Sequence, residues 1–189
     1  MRLVLLGGPG AGKGTQSHRL SQRLQVPGIS TGNILRQAIA SQDALGMEAE
    51  PYLKKGELLP DPMMINFIRS RLVQPDMERG WILEGYPRTA FQAEELDFLL
   101  EDLQQPLTCV IYLKIEEKVM IERSLTRSLV DDQPDVIQKR IDSFQEKIAL
   151  LLDYYTGKKK LITLSAEDTP ENIEMLILKQ INLAMVQPD

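Results

Sequence analysis

A parallel α/β sandwich is the fold class this sequence predicts, and three observations carry the prediction. Short apolar runs alternate with longer segments of helical period. The first and fourth runs, Leu3–Leu6 and Cys109–Leu113, are apolar nearly throughout, as expected of strands covered by helices on both faces. A glycine-rich loop, Gly7 to Thr15, separates the first run from a helix-forming stretch, the place where parallel α/β folds gather their ligands.

Each element follows in order. Leu3–Leu6 is the first strand, and Gly28–Ser30, Trp81–Leu83, Cys109–Leu113 and Leu161–Leu164 supply four more. The segments between them are long enough for crossover helices, whose right-handed sense brings the loops after the strands to one carboxyl edge. Pro60-Asp61-Pro62 and Gln74-Pro75-Asp76 read as helix boundaries. Leu150 to Tyr155 reads as the end of a long packed helix, Lys158-Lys159-Lys160 as a solvated turn before the last strand, and Gln187-Pro188-Asp189 as a frayed tail. No internal repeat or linker interrupts the pattern, and 189 residues suit a single core.

Composition removes several function classes. With 43% hydrophobic and 26% charged residues and no stretch near the roughly 18 apolar residues of a span, no membrane partner is expected. The start MRLVLLGG lacks the long apolar region and cleavage site of a signal peptide. A net charge of -5 argues against a nucleic-acid-gripping surface. One cysteine, Cys109, forms no internal disulfide, and with the sole histidine, His18, it cannot complete a four-ligand zinc site. A reducing, cytoplasmic setting and a monomer are the expectation.

The strongest motif is Gly7-Gly8-Pro9-Gly10-Ala11-Gly12-Lys13-Gly14-Thr15. Its glycines allow successive N–H groups to point inward, the following helix adds its positive end, and Lys13 adds a point charge for outer phosphates. The strict pattern puts a hydroxyl residue directly after the lysine; here Gly14 holds that place and Thr15 follows. A ligand-free glycine turn would need neither so many glycines nor the lysine, so nucleotide binding is the reading. His18 is assigned a surface position without a catalytic part, and Cys109 the role of a small buried hydrophobe.

Two further segments, Ile29-Ser30-Thr31-Gly32-Asn33-Ile34-Leu35-Arg36 and Glu84-Gly85-Tyr86-Pro87-Arg88-Thr89, each follow a predicted strand and carry an arginine near a helix start. With the loop, Lys55-Gly56-Glu57-Leu58-Leu59-Pro60-Asp61, Arg123, Arg127, Val130-Asp131-Asp132 and Arg140, the chain resembles the adenylate kinases over essentially its whole length. The resemblance implies a three-layer P-loop NTPase fold with a five-stranded parallel sheet flanked by helices. It implies reversible transfer of the terminal phosphate of ATP, with Mg2+, to AMP, giving two ADP. It also divides the domain into a core (1–29, 60–126 and 133–189), an AMP-binding insertion (30–59) and a short lid (127–132).

By the same resemblance, Gly8, Pro9, Gly10, Ala11, Gly12, Lys13, Gly14, Thr15, Arg123, Arg127 and Ser165 would bind ATP, Ser165 and Ala166 through their backbone at the base. Thr31, Arg36, Glu57, Leu58, Leu59, Gly85, Arg88, Gln92 and Arg140 would bind AMP. Lys13, Arg88, Arg123, Arg127 and Arg140 would be catalytic, since arginine forks match phosphate oxygens bidentately. Arg36 and Arg88 would take the AMP phosphate. Thr31, where UMP and CMP kinases typically carry alanine, and Gln92 favour AMP; an exposed helix position remains the alternative for Gln92.

Three departures from the family pattern carry expectations of their own. Asn33 replaces an aspartate and should preserve a cap at its helix start. Glu84 replaces the aspartate that holds magnesium through water, a displacement of about an ångström of a kind that can cost about 100-fold in rate when uncompensated. Leu129 stands where a lid arginine is usual. The rival readings are another nucleoside monophosphate kinase acting on UMP or CMP, or a low-turnover adenine-nucleotide sensor.

Overall fold

In a computed structural model, which describes residues 1–127 and 133–186, five strands form one parallel sheet in the order β2-β3-β1-β4-β5. The strands are β1 (Arg2–Leu6), β2 (Gly28–Ser30), β3 (Trp81–Glu84), β4 (Cys109–Lys114) and β5 (Leu161–Ser165). All five coincide with the apolar runs to within a residue at either end. The expectations for 128–132, including Leu129, and for Gln187 to Asp189 lie outside the described residues.

Eight α-helices connect and follow the strands among the described residues. They are α1 (Lys13–Leu24), α2 (Thr31–Ser41), α3 (Ala44–Lys55), α4 (Asp61–Leu72), α5 (Ala90–Asp102), α6 (Glu117–Arg127), α7 (Pro134–Gly157) and α8 (Pro170–Val186). Both proline-rich punctuations fall at helix limits. Pro60 immediately precedes α4 with Pro62 in its first turn, and Pro75 opens a short 3₁₀ turn before β3. A missing N–H costs nothing at such positions, because the first-turn donors of a helix have no partner inside it.

Side chains alternate across a strand, so a central strand must supply two cores. β1 does so. Val4 and Leu6 join a cluster with Trp81, Leu83, Ile68 of α4, Leu96 of α5 and Leu151 of α7. Leu3 and Leu5 join another with Ile82, Ile111, Leu20 of α1 and Ile177 of α8. Helices thus cover both faces, and burying each leucine or isoleucine contributes about 1.5–3 kcal/mol.

From β1 the chain moves first toward β2 and β3 and then to β4 and β5 on the other side. The reversal leaves a crevice beyond the carboxyl end of β1, where α/β sheets place ligands. Leu5 pairs with Glu84 and Leu6 with Tyr112, which brings the ends of three strands to this crevice.

Candidate active site

The turn that leaves β1 ends at Gly12, which caps α1 in the left-handed conformation at φ 86° and with no side-chain hydrogen bond to the first-turn amides. The neighbouring helix starts differ. Ser30 Oγ accepts from the Asn33 N–H at the start of α2, and Thr89 Oγ1 from the Gln92 N–H at 3.1 Å at the start of α5. A helix start without a side-chain cap leaves N–H donors and the positive dipole end for an anion. At this point Lys13 folds back over the loop, its Nζ donating to the carbonyls of Gly7 at 2.7 Å and Gly8 at 2.8 Å.

The cap at α2 corrects one expectation. Asn33 is the third residue of the helix, so its side chain cannot serve as the N-cap; Ser30 does so. Asn33 Oδ1 instead accepts from Arg36 Nη2 at 2.7 Å, one turn along the same face.

Glu84, the last residue of β3, fastens β2 to the sheet end. Its carboxylate accepts from Ser30 Oγ and its carbonyl from Thr31 Oγ1 at 3.3 Å. Gly85 follows at φ 88°, and a Cβ there would lie 2.2 Å from Thr31 Oγ1, so a side chain would force the two segments apart. Arg88 Nε returns to the Gly85 carbonyl at 2.8 Å.

Gln92 is 2% exposed, which removes the exposed-helix alternative. Its Oε1 accepts from the Arg88 N–H and its Nε2 donates to Asp61 Oδ1, both at 2.7 Å. An amide offers two donors and two lone pairs, so one N–H and one lone pair remain while the side chain is held still.

These segments enclose one cavity of about 690 Å³. Its walls carry Pro9 to Thr15, Thr31, Arg36, Glu57 to Leu59, Glu84, Gly85, Arg88, Gln92, Arg123, Arg127 and Arg140. Of the residues expected in the site, Gly8, Ser165 and Ala166 do not line it. Gly8 supplies a carbonyl to Lys13, whereas Ser165 ends β5, exposed, with its Oγ toward Glu167. The Ala166 carbonyl is taken by Arg123 Nη1 at 2.9 Å.

Several lining residues are legible only in three dimensions. Gln16, 1% exposed, donates through Nε2 to the Pro170 carbonyl at 2.9 Å and ties α1 to the wall formed by Asp168, Pro170 and Ile173. Ser143, Phe144 and Lys147 of α7 face the same space. Nothing in their residue types marks them. Asp61 was visible as the last residue of the Lys-Gly-Glu-Leu-Leu-Pro-Asp segment, but its bond to Gln92 was not.

The electrostatics are those of an anion site. Burial pushes the Lys13 ammonium down to about 8; Glu84 opposes the shift, and Arg88 and Arg127 add to it. Arg88 is also held below its ordinary value, first by desolvation within the cavity walls and then by Arg140 and Arg36, with Glu84 opposing. Cations crowded so closely repel one another, and an anion among them relieves that repulsion. No group of three or more His, Cys, Asp or Glu side chains that could hold a metal occurs among the described residues.

A parallel sheet with an uncapped glycine loop at its switch point and arginines from four segments around one cavity defines a P-loop phosphotransferase. The family model described as adenylate kinase matches residues 5–160. Similar proteins include adenylate kinase 2 of Synechocystis sp., 60% identical over 96% of this chain and 100% of that protein. Adenylate kinase 2 of Nostoc sp. is 52% identical over 95% and 97%, and the adenylate kinase of Corynebacterium urealyticum 41% over 92% and 94%. The chain belongs to the adenylate kinase family, and it is an ATP:AMP phosphotransferase.

Proposed function

We propose that the loop from Gly8 to Thr15 holds the phosphates of ATP and that Arg36 and Arg88 hold the phosphate of AMP, at opposite ends of one cavity. The observation carrying this assignment is that a single space of about 690 Å³ joins the uncapped start of α1 to Arg36, Arg88 and Gln92. An oxygen of the AMP phosphate attacks the terminal phosphorus of ATP as the bond to the bridging oxygen breaks, and the electron pair leaves with ADP. The attacking oxygen is already ionised, so no general base is required. Catalysis is positioning and neutralisation: Lys13, Arg123, Arg127 and Arg140 face the charge spread over the phosphoryl group in transit.

Magnesium fits this site in one manner. Glu84 is the carboxylate at the loop end of the cavity, so the ion would be held mainly by ATP phosphates and water, with Glu84 reached through water. When bound, it neutralises charge on the bridging and terminal oxygens. The bond from Ser30 to Glu84 supports a carboxylate kept in place for that purpose.

The acceptor base is assigned to the pocket of Thr31, Glu57, Leu58, Leu59, Gly85 and Gln92, with the free N–H and lone pair of Gln92 for the adjacent acceptor and donor of adenine. A base without that pattern leaves buried polar groups unpaired. The donor base is assigned to the wall from Asp168 to Ile173. Residues 30–59 act as an AMP-binding insertion and 127–132 as a short lid, closing to exclude water. A monomer in the cytoplasm is consistent with one buried cysteine and a charge of -5. No described helix is long and apolar enough to cross a membrane.

A coupled assay with MgATP and AMP tests the assignment. ADP forms with the wild type, and Lys13→Ala loses most of the rate; an unaffected variant contradicts the mechanism. AMP exceeds UMP, CMP and GMP as acceptor, and an equal rate with UMP contradicts the role of Gln92.

A further inference from the structure

Beside the main cavity lies a second, open one of about 370 Å³, between the end of α3 and α7. The two share Gly56, Glu57, Leu58, Ser143 and Lys147, so the smaller space opens onto the end assigned to AMP. Its remaining walls are Lys55 and Lys139. Both are exposed, and among the described residues neither makes a hydrogen bond or ion pair. Three other lysines are paired: Lys54 with Glu50 at 2.8 Å, Lys147 with Glu146 at 2.5 Å, and Lys158 with Asp97 at 2.9 Å.

A chain of net charge -5 repels anionic nucleotides at long range, so access depends on local fields. Glu57 lines the same groove and offsets one positive charge, and Glu146 neutralises Lys147. One net positive charge remains, that of Lys55 and Lys139 together against Glu57. A concave wall of net positive charge draws anions to its mouth, and over a groove of this size the field is not screened out at low salt, where the Debye length exceeds about 10 Å.

We propose that Lys55 and Lys139 form an entry ledge for phosphomonoesters, gathering the incoming nucleoside monophosphate before its phosphate passes to Arg36 and Arg88. The ledge rests on the assignment of the acceptor end given above. It takes no part in the donor side, because no residue of the glycine loop borders the groove.

The test uses the whole chain with Lys55→Gln and Lys139→Gln combined. Lys54→Gln serves as control, since Lys54 is exposed, paired and absent from the groove. At about 20 mM salt, kcat/KM for AMP falls about 3- to 10-fold with kcat unchanged, and kcat/KM for ATP stays within about twofold. At about 0.5 M salt the double variant and the wild type converge. The pair Lys55→Arg and Lys139→Arg, which keeps the charge, restores the AMP value. Equal losses for both substrates, a loss independent of salt, or no loss overturns the proposal. Failure of the acceptor assignment is distinguishable, because Arg88→Gln would then leave KM for AMP unchanged.

Discussion

Lys13 carries the clearest prediction at the scale of one residue. Burial pushes its ammonium down to about 8, and in the proposed role it meets the phosphates of ATP as a cation. kcat/KM for ATP therefore declines above about pH 8, and nucleotide binding at pH 8.5 takes up protons, measurable by calorimetry in buffers of different ionisation heat. A flat profile to pH 10 contradicts this. For stability the sign is opposite. Because the folded value lies below the ordinary 10.5, keeping Lys13 charged opposes folding below about 8. That cost fades as pH rises from about 8 to 10.5, where the unfolded chain binds more protons. The residue identities in the loop were legible because loop chemistry is local. Asn33 and Gln92 were less so: an asparagine near a helix start reads as a cap until its place in the first turn is known, and a glutamine's burial depends on Asp61, which lies 31 positions away.

Among elements, the α2–α3 pair is sensitive to a single atom. A Cβ on Gly46 would sit 2.1 Å from the Ala38 carbonyl oxygen and 2.3 Å from its carbon, both backbone atoms that cannot swing aside. Gly46→Ala should therefore separate the helices, cost about 1–3 kcal/mol and raise KM for AMP more than that for ATP. Thermal unfolding and steady-state kinetics check both. β1, β3 and β4 were recoverable from apolar runs because both faces of each are covered. The split of 30–59 into two helices, and the turn at Asp43 that caps α3 through its side chain, depend on how those helices meet, which no local pattern records.

The whole molecule protects Cys109. Burial pushes its thiol up to about 12, Lys160 opposing, so almost no thiolate exists at neutral pH. A maleimide at pH 7.5 should label the chain only as fast as the sheet opens, and labelling in urea should follow global unfolding. Rapid labelling of the native protein contradicts this. Sheet order was not readable from the strands themselves; it emerges from which apolar faces find one another, although the ligand edge followed from handedness alone. The central place of β1 has a consequence during synthesis. Its two neighbours, β3 and β4, pair through Leu3↔Ile82 and Leu3↔Cys109, so β1 gains its second neighbour only after Cys109–Lys114 has been made. Bracing of the glycine loop from both sides of β1 is therefore a late event in a slow, non-local assembly.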